Sequence, residues 1–295
     1  MIIAKIEGGL GNQMFQYAFA RKLAMQHGVE LKLDITSFET EHDPNLFTNR
    51  DFELSIFNTE FKIASVAEIE KFNKSKFLKL LDYISLFTPF KSSNFYLREP
   101  HFHFFANAKN TPANAYVNGY WHSEKYFSDA NDAIRSDFKM KAPLSNAVQT
   151  LAEQLKNNKS VSIHVRRGDY ISIEKNKQIY ASCDAAYYSA AIAHIAKEIQ
   201  DPEFYIFSDD PTWAFEHLKS DWPMCFVNRN IETKNYEDLF LMSCCKHNII
   251  ANSSFSWWAA WLNSNTDKLI IAPAKWYADD SKNTTDLIPA SWIKL

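Results

Sequence analysis

Short apolar segments alternate with segments of helical length along most of this chain of 295 residues. The pattern is clearest from Ser160 onward, where each apolar run of strand length is followed by a run long enough for a helix. Strands that alternate with helices pair in parallel, because each crossover helix returns the chain to the same end of the sheet. We therefore predict an α/β fold with helices on both faces of parallel sheets.

The two halves of the chain differ in how clearly they show this pattern. In the first half we predict strands over 2–6, 29–33 and 115–118, a helix over 13–27 that ends at Gly28, and short helices around 65–90. In the second half we predict strands over 161–165, 203–207, 225–227, 248–251 and 268–272, and helices over 187–199, 211–218, 236–245 and 255–262. The polar segment 121–156 separates the halves, and we place a domain boundary there, between residues 145 and 146.

Composition and charge restrict the class of protein. The net charge of −3 argues against general nucleic-acid binding, which needs a basic surface. The four cysteines have no CxxC spacing, so neither a zinc site nor a disulfide framework is indicated. No targeting signal and no membrane-spanning run of ~20 apolar residues is visible. We expect a cytoplasmic protein, with peripheral contact to the inner face of the membrane left open.

A glycine-rich loop joins the first strand to the first helix. Gly9-x-Gly11-x-x-Met14 is close to the G-x-G-x-x-G pattern of dinucleotide-binding Rossmann folds, and Asp34 stands near the place of the ribose-binding acid. Met14 replaces the third glycine, however, and Asn12 and Gln13 add amide groups at the start of the helix. On this segment alone, a dinucleotide site and another kind of phosphate loop remain equal alternatives.

A basic loop follows the strand at 161–165. The segment "SIHVRRGDYI" places His164 in the strand and Arg166 and Arg167 at its carboxyl end, where ligands bind in open α/β sheets. Two adjacent guanidinium groups are suited to a diphosphate, because arginine donates bidentate hydrogen bonds and stays charged. A surface cluster of salt bridges with Asp169 is the alternative.

Two further strand ends carry polar residues. Asp209 and Asp210 precede Pro211; one of them is expected to cap the helix, and the other is free to accept hydrogen bonds from a nucleotide. The segment "NIIANSSFSWWAAWL" offers Asn252, Ser253, Ser254 and Ser256 at a helix start that suits a phosphate. We interpret Trp257 and Trp261, which share one helix face, as core residues.

The strongest matches to a known family lie in these same segments: "GGLGNQMFQYAFA" at 8–20, "GYWHSEKYF" at 119–127, "HVRRGDY" at 164–170, "FSDD" at 207–210 and "HNIIANSSFSWWAAWL" at 247–262. Together they resemble the bacterial α-1,2-fucosyltransferases of glycosyltransferase family eleven. The HxRRxD pattern alone is also similar to the α-1,6- and protein O-fucosyltransferases. One departure is His122, where relatives often carry glutamine.

This resemblance implies a GT-B architecture of two Rossmann-like domains facing across a cleft, with the acceptor side in residues 1–145 and GDP-fucose bound in 146–295. It implies metal-independent, inverting transfer of L-fucose from GDP-β-L-fucose to the 2-hydroxyl of a terminal galactose, with no cofactor. The acceptor would be a galactose-terminated glycan of an O-antigen, a capsule or a lactose type. The glycine loop would then approach the donor from the first domain, without dinucleotide chemistry.

The same reasoning predicts the residues of the site. We expect Arg166 and Asp169 to be catalytic, Asp169 as the leading general base, and Glu7 is a second carboxylate near the glycine loop. We expect the donor to be bound by Gly9, Gly11, Asn12, Gln13, His164, Arg166, Arg167, Asp209, Asn252, Ser253, Ser254 and Ser256. A transferase with another linkage, such as α-1,6, a non-catalytic glycan-binding protein and an NAD-dependent oxidoreductase are the alternatives.

Overall fold

The protein is described from a computed structural model that covers residues 1–39, 48–141, 143–181, 183–227, 231–279 and 282–295. The described chain forms two compact units. The first is built from residues 1–39, 49–141 and 283–289, and the second from Thr48, the described residues between 143 and 282, and 290–295. The sequence predicts a boundary at 145/146; in the structure the units change at 142/143, and residues 283–289 pack with the first unit.

The first unit contains a parallel sheet. Its strands are β1 (Ile2–Lys5), β2 (Leu31–Asp34), β3 (Lys62–Ile63), β4 (Phe95–Arg98) and β5 (Ala115–Asn118). They pair in the order β3-β2-β1-β5-β4, and every pairing is parallel. Strand β1 is therefore central, and all five strands end at the same edge of the sheet. The loops that follow β1, β4 and β5 thus lie side by side.

The helices of the first unit are α1 (Leu10–His27), α2 (Val66–Glu70), α3 (Lys76–Ser85) and α4 (Asn131–Asp137). Most residues of α1 are buried, on all sides of the helix, which explains why its sequence shows no clear polar face. This helix ends at Gly28, whose φ of 61° lies in the left-handed region that glycine adopts without strain.

The second unit contains a second parallel sheet. Its strands are β6 (Ser160–Val165), β7 (Glu203–Ser208), β8 (Met224–Phe226), β9 (His247–Ile249), β10 (Ile270–Ala272) and β11 (Ile293–Lys294), in the order β11-β10-β9-β6-β7-β8. Its described helices are α5 (Asn146–Asn157), α6 (Gly168–Ser172), α7 (Glu174–Ile179), α8 (Ala185–Glu198), α9 (Pro211–His217), α10 (Asn235–Cys244) and α11 (Ser254–Leu262). Buried aliphatic residues of β6 and β7, among them Ile163 and Ile206, share one core cluster with Ile195 of α8. Burial on both faces is what the apolar strand sequences predict.

The predicted α/β fold with parallel sheets is confirmed. In the second unit every predicted strand and helix is present, with ends that shift by at most two residues. In the first unit the sequence did not indicate β3 or β4. Strand β3 has only two residues, and both are exposed, so it carries no apolar signal.

Among the described residues, no helix is both long enough and apolar enough to span a bilayer.

Candidate functional site

Three neighbouring strands of the second sheet carry polar loops at their carboxyl ends. Strand β6 pairs with β7 on one side and with β9 on the other. The loops after these strands begin at Arg166, Asp209 and Ile250 respectively. Parallel pairing therefore places the arginine pair, the aspartate pair and the serine-rich helix start at one edge of one sheet, as the sequence predicts.

Each arginine of the pair is held by an aspartate from the neighbouring loop. Nη1 of Arg166 lies 2.8 Å from Oδ2 of Asp209, and Nε of Arg167 lies 3.4 Å from Oδ2 of Asp210. The backbone N–H of Arg167 also donates to Oδ1 of Asp209 at 2.8 Å. Asp209 therefore fixes the first guanidinium and the backbone next to it at the same time.

Aromatic rings lie against the same two guanidinium groups. The Arg167 guanidinium lies 4.1 Å from the ring centre of Trp213, and that of Arg166 lies 5.4 Å from the ring centre of Tyr170. Tyr170 in turn stacks on Tyr180 at 4.1 Å. Ion pairs and rings together limit how far these side chains can move, so two positive charges are held in place before any ligand arrives.

The division of roles between the two aspartates follows the prediction in one respect. Asp210 caps α9, because its Oδ1 accepts the N–H of Trp213 at 3.1 Å. Asp209, expected to contact a nucleotide, has both oxygens engaged with Arg166 and Arg167. Its geometry fits a positioning role for the arginines, and direct contact with the donor stays a prediction.

His164 is buried below this edge. The centre of its ring lies 5.6 Å from that of Phe255, and its Nδ1 has no hydrogen-bond partner among the described residues. Burial lowers the pKa of His164 to about 3, and the neighbouring Arg166 acts in the same direction. The imidazole is therefore neutral at physiological pH, and it supplies no charge to the site.

The start of α11 lies beside the arginines, but its polar side chains differ in exposure. Asn252 is fully buried and donates both amide hydrogens to the backbone, to Ala181 at 2.7 Å and to Trp276 at 2.9 Å. Ser256 is also buried. Ser254 is the more exposed serine at the first helical position. Asn252 thus braces the loop, whereas the N–H groups at this helix start remain the predicted phosphate contacts.

Asp169, the predicted general base, is the second residue of helix α6. The structure describes its backbone but not its side chain. Within the described residues no group of three or more histidine, cysteine, aspartate or glutamate side chains has the arrangement of a metal site. The role of Asp169 and independence from metal both stay predictions.

Gly168 allows the close approach of Asp209. A Cβ at this position would lie 2.7 Å from Oδ2 of Asp209, the oxygen that is paired with Arg166. An alanine here must therefore displace the Asp209 carboxylate. We expect Gly168→Ala to lower turnover by about tenfold or more, because catalysis is sensitive to displacements of this size. Steady-state kinetics measure the loss, and thermal unfolding should change little. Turnover equal to that of the original protein would show that the position of Asp209 does not matter.

The glycine loop is at the corresponding edge of the first sheet. Gly8 has a φ of 79°, and a Cβ there would lie 2.8 Å from Nδ2 of Asn12. Gly9 caps α1 in an extended conformation, and the start of the helix includes Gly11. The side chain of Arg50 lies beside Gly9, 3.8 Å from the place of a Cβ. Arg50 follows no predicted strand, so no sequence pattern indicated this cation.

Gln13 supports this loop from below. It is fully buried; its Nε2 donates to the carbonyls of Gly8 at 2.9 Å and Asp51 at 2.8 Å, and its Oε1 accepts the N–H of Glu53. Both amide hydrogens are thus committed to the backbone. Gln13 has a structural place in the loop, and a contact with the donor stays a prediction.

His122, the departure in the matching segment 119–127, lies next to the glycine loop. Its Nε2 is 3.1 Å from Oδ1 of Asn12, and within the described part of the chain its buried Nδ1 has no hydrogen-bond partner. Burial lowers the pKa of His122 to about 4, so the ring is neutral at physiological pH. It connects the loop after β5 to the start of α1.

A half-buried carboxyl group that no sequence pattern indicated follows β4. Glu99 accepts the N–H groups of Tyr120 at 2.7 Å and Trp121 at 3.1 Å, and Trp121 has a φ of 57°. Burial raises the pKa of Glu99 to about 7, although the two hydrogen bonds favour the ionised form. A polar residue at the end of a parallel strand was the available signal, but β4 itself was not predicted.

The raised pKa of Glu99 makes stability depend on pH. The folded protein keeps this proton up to about pH 7, whereas the unfolded chain releases it near pH 4.5. The free energy of unfolding therefore falls as pH rises through this window, by about 3 kcal/mol in total. We expect Glu99→Gln to remove this dependence, measured by chemical denaturation of both proteins at about pH 5 and about pH 8. A difference between the two proteins that is the same at both pH values would contradict the assignment.

Asp34 does not fit the dinucleotide interpretation. Its Oδ1 accepts the N–H and hydroxyl of Thr36, its Oδ2 accepts the hydroxyl of Tyr116, and the side chain is buried. A ribose-binding acid must be accessible to the ligand. The NAD-dependent alternative is therefore rejected on the geometry of the first unit.

Comparisons with known proteins agree with this conclusion. The sequence profile described as Glycosyl transferase family 11 matches residues 1–295. The O-antigen biosynthesis glycosyltransferase WbnK of Escherichia coli is 34% identical over 98% of this chain and 99% of its own length. An alpha-1,2-colitosyltransferase of Escherichia coli is 30% identical over 100% of this chain and 99% of its own length. Human galactoside alpha-(1,2)-fucosyltransferase 1 is 26% identical over 50% of this chain and 42% of its own length.

Among solved structures, a mutant of Arabidopsis thaliana FUT1 in complex with GDP has a TM-score of 0.50 at 9% identity, over 91% of this chain and 69% of that one. At this identity the likeness shows a shared fold alone. The match over the full length and the two bacterial relatives show that the chain belongs to glycosyl transferase family 11 and is a glycosyltransferase.

Proposed function

We propose that this enzyme transfers L-fucose from GDP-β-L-fucose to the 2-hydroxyl of a terminal galactose on a glycan, with inversion and without a metal ion. The observation that carries the proposal is the pair Arg166 and Arg167, each held by an aspartate at the carboxyl edge of the second sheet. The family and its α-1,2-linking relatives support the linkage.

The charge at this edge fits the departure of a nucleoside diphosphate. When the bond between the sugar and the diphosphate breaks, negative charge grows on the leaving phosphate, and positive charge grows on the sugar ring. Fixed guanidinium groups stabilise the first of these charges without reorganising. The N–H groups at the start of α11 add donors on the same edge. The residues thus provide what a metal ion would otherwise supply.

Besides Glu7, which is paired with Lys5 at 2.7 Å, two carboxyl groups are candidates for accepting the proton of the attacking hydroxyl. Asp169 is the candidate that the sequence favours. Glu99 is the candidate added by the structure, since a carboxyl with a pKa of about 7 can take up a proton near neutral pH. Asp169→Asn and Glu99→Gln should differ in their pH–rate profiles: the variant that lacks the base loses the acidic limb, whereas the other keeps it. Acidic limbs retained in both variants would exclude both residues.

The names of the two bacterial relatives suggest where to look for donor and acceptor. One transfers colitose, which is fucose without its 3-hydroxyl, and one acts in O-antigen biosynthesis. We propose an O-antigen unit that ends in galactose as the acceptor and fucose as the sugar transferred.

The test is a comparison of donors with a single acceptor. The enzyme is incubated with GDP-fucose or GDP-colitose and a β-galactoside, and NMR of the product identifies the sugar and its linkage. We expect fucose in an α-1,2 linkage, with higher kcat/KM for GDP-fucose. Preference for GDP-colitose would overturn the donor assignment, and an α-1,6 product would overturn the linkage.

A further inference from the structure

Helix α3 in the first unit has its apolar face outward. Phe77, Leu80, Leu81 and Ile84 follow the i, i+3, i+4, i+7 spacing of one helix face, and they are between 44% and 66% exposed. In a helix of a globular protein this stripe normally packs on the core. Here no described part of the chain covers it.

The opposite face of α3 is polar and points inward. Asp82 is buried and accepts hydrogen bonds from Nζ of Lys74 at 2.7 Å, Oγ of Ser92 at 2.6 Å and the N–H of Tyr96 at 3.0 Å. Nζ of Lys79 lies 4.0 Å from the ring centre of Tyr96. These contacts fix the rotation of α3 about its axis. Because they hold Asp82 and Lys79 toward the rest of the unit, the apolar stripe faces outward.

The apolar surface continues beyond the helix. Two further exposed aromatic residues follow within six residues of the end of α3: Phe87 is 61% exposed and Phe90 is 82% exposed. We define the α3 patch as Phe77, Leu80, Leu81, Ile84, Phe87 and Phe90. A contiguous exposed apolar surface of this kind marks an interaction site, since single exposed apolar residues are normal and clusters are not.

Positive charge surrounds the α3 patch. Residues 71–91 contain the lysines Lys71, Lys74, Lys76, Lys79 and Lys91 and a single acidic residue, Asp82, in a chain of net charge −3. The carboxylate of Asp82 is neutralised by Lys74. An apolar stripe bordered by lysines is the composition of helices that lie in the interface of a membrane with anionic lipids.

We propose that the α3 patch docks the protein on an anionic lipid bilayer, with the axis of α3 in the plane of the interface. The apolar side chains would enter the boundary between headgroups and acyl chains, and the flanking lysines would contact lipid phosphates. A second copy of the chain fits less well, because a two-fold contact through this patch would bring the two sets of lysines together. The proposal is independent of the donor and acceptor proposed above.

The test is flotation of the full-length protein with vesicles. Phosphatidylcholine vesicles with and without phosphatidylglycerol are compared, for the original protein and for Phe77→Ser/Ile84→Ser. The matched control is Met25→Ser/Val66→Ser, which also replaces two exposed apolar residues of the first unit, outside the α3 patch. Lys71→Glu/Lys76→Glu tests the electrostatic part at two exposed lysines.

We expect binding to vesicles that contain phosphatidylglycerol, reduced about tenfold or more by Phe77→Ser/Ile84→Ser and by Lys71→Glu/Lys76→Glu. The matched control should bind like the original protein. Absence of binding by the original protein, or equal binding by Phe77→Ser/Ile84→Ser, would overturn the proposal. A dimer in sedimentation velocity that this variant abolishes, without vesicle binding, would identify a second copy as the occupant instead.

Discussion

Replacing Arg166 with alanine is expected to lower turnover by at least about a hundredfold. Its guanidinium group is fixed by Asp209 at 2.8 Å and lies near the ring of Tyr170. A donor positioned in advance for developing negative charge contributes about 2.7–4 kcal/mol to transition-state stabilisation, and Arg166→Ala removes it. Because the charge grows only as the leaving group departs, kcat should fall more than KM rises. Steady-state kinetics of GDP release give both values.

Two further variants separate this loss from a general effect of charge. Lys159→Ala removes a cation directly before the amino end of β6, the strand whose carboxyl end carries Arg166. We expect turnover of this variant not to change. Asp209→Asn releases Arg166, and its effect should not add to that of Arg166→Ala, because both variants disturb one pair. Near-normal turnover of Arg166→Ala would remove this residue from the mechanism.

Trp257→Ala is expected to reduce the free energy of unfolding by about 3–5 kcal/mol. Trp257 is fully buried in α11. The centre of its ring lies 5.1 Å from the ring centre of Trp258, 5.4 Å from that of Trp292 and 6.4 Å from that of Trp261. Removing the indole leaves a cavity between rings that cannot close, since the helix and strands around it are fixed. Chemical denaturation followed by circular dichroism measures the loss.

A phenylalanine at the same position gives the comparison for this variant. Trp257→Phe keeps an aromatic ring in the cluster and should recover a large part of the stability. If Trp257→Ala unfolds like the original protein but loses donor binding, the interpretation of this tryptophan as a core residue is wrong.

The second unit was largely predictable from sequence for a physical reason. Its central strands β6 and β7 are buried on both faces, so they appear as apolar runs, and α9 has a recognisable start at Asp210 before Pro211. The rule that parallel strands end at one edge then brings Arg166, Asp209 and the start of α11 together without further information.

What the sequence could not show was which polar groups are already satisfied. Asn252 and Gln13 have amide side chains of the kind that often bind ligands, yet both donate their amide hydrogens to the backbone. Three of these four partners, Asp51, Ala181 and Trp276, are more than 20 residues away in sequence, and no local pattern encodes them. Glu99 was missed for the opposite reason: β4 was not predicted, so its place at the edge of the first sheet was not visible.

The orientation of α3 could not be predicted from its hydrophobic periodicity either. Its stripe of Phe77, Leu80, Leu81 and Ile84 would normally indicate a core face. The structure turns that face outward, because Asp82 is bound inside by Lys74 and Ser92. A hydrophobic pattern gives the period of a helix, but the direction in which it points depends on tertiary contacts.

The most direct test of the proposed activity is release of GDP from GDP-fucose, measured with and without a β-galactoside such as lactose and repeated in EDTA. We predict release that the galactoside stimulates and that EDTA does not reduce. Tight binding of GDP-fucose without release, for a panel of galactosides, would show that the acceptor is wrong while the donor is right. A protein that does not bind GDP-fucose at all would contradict the central proposal.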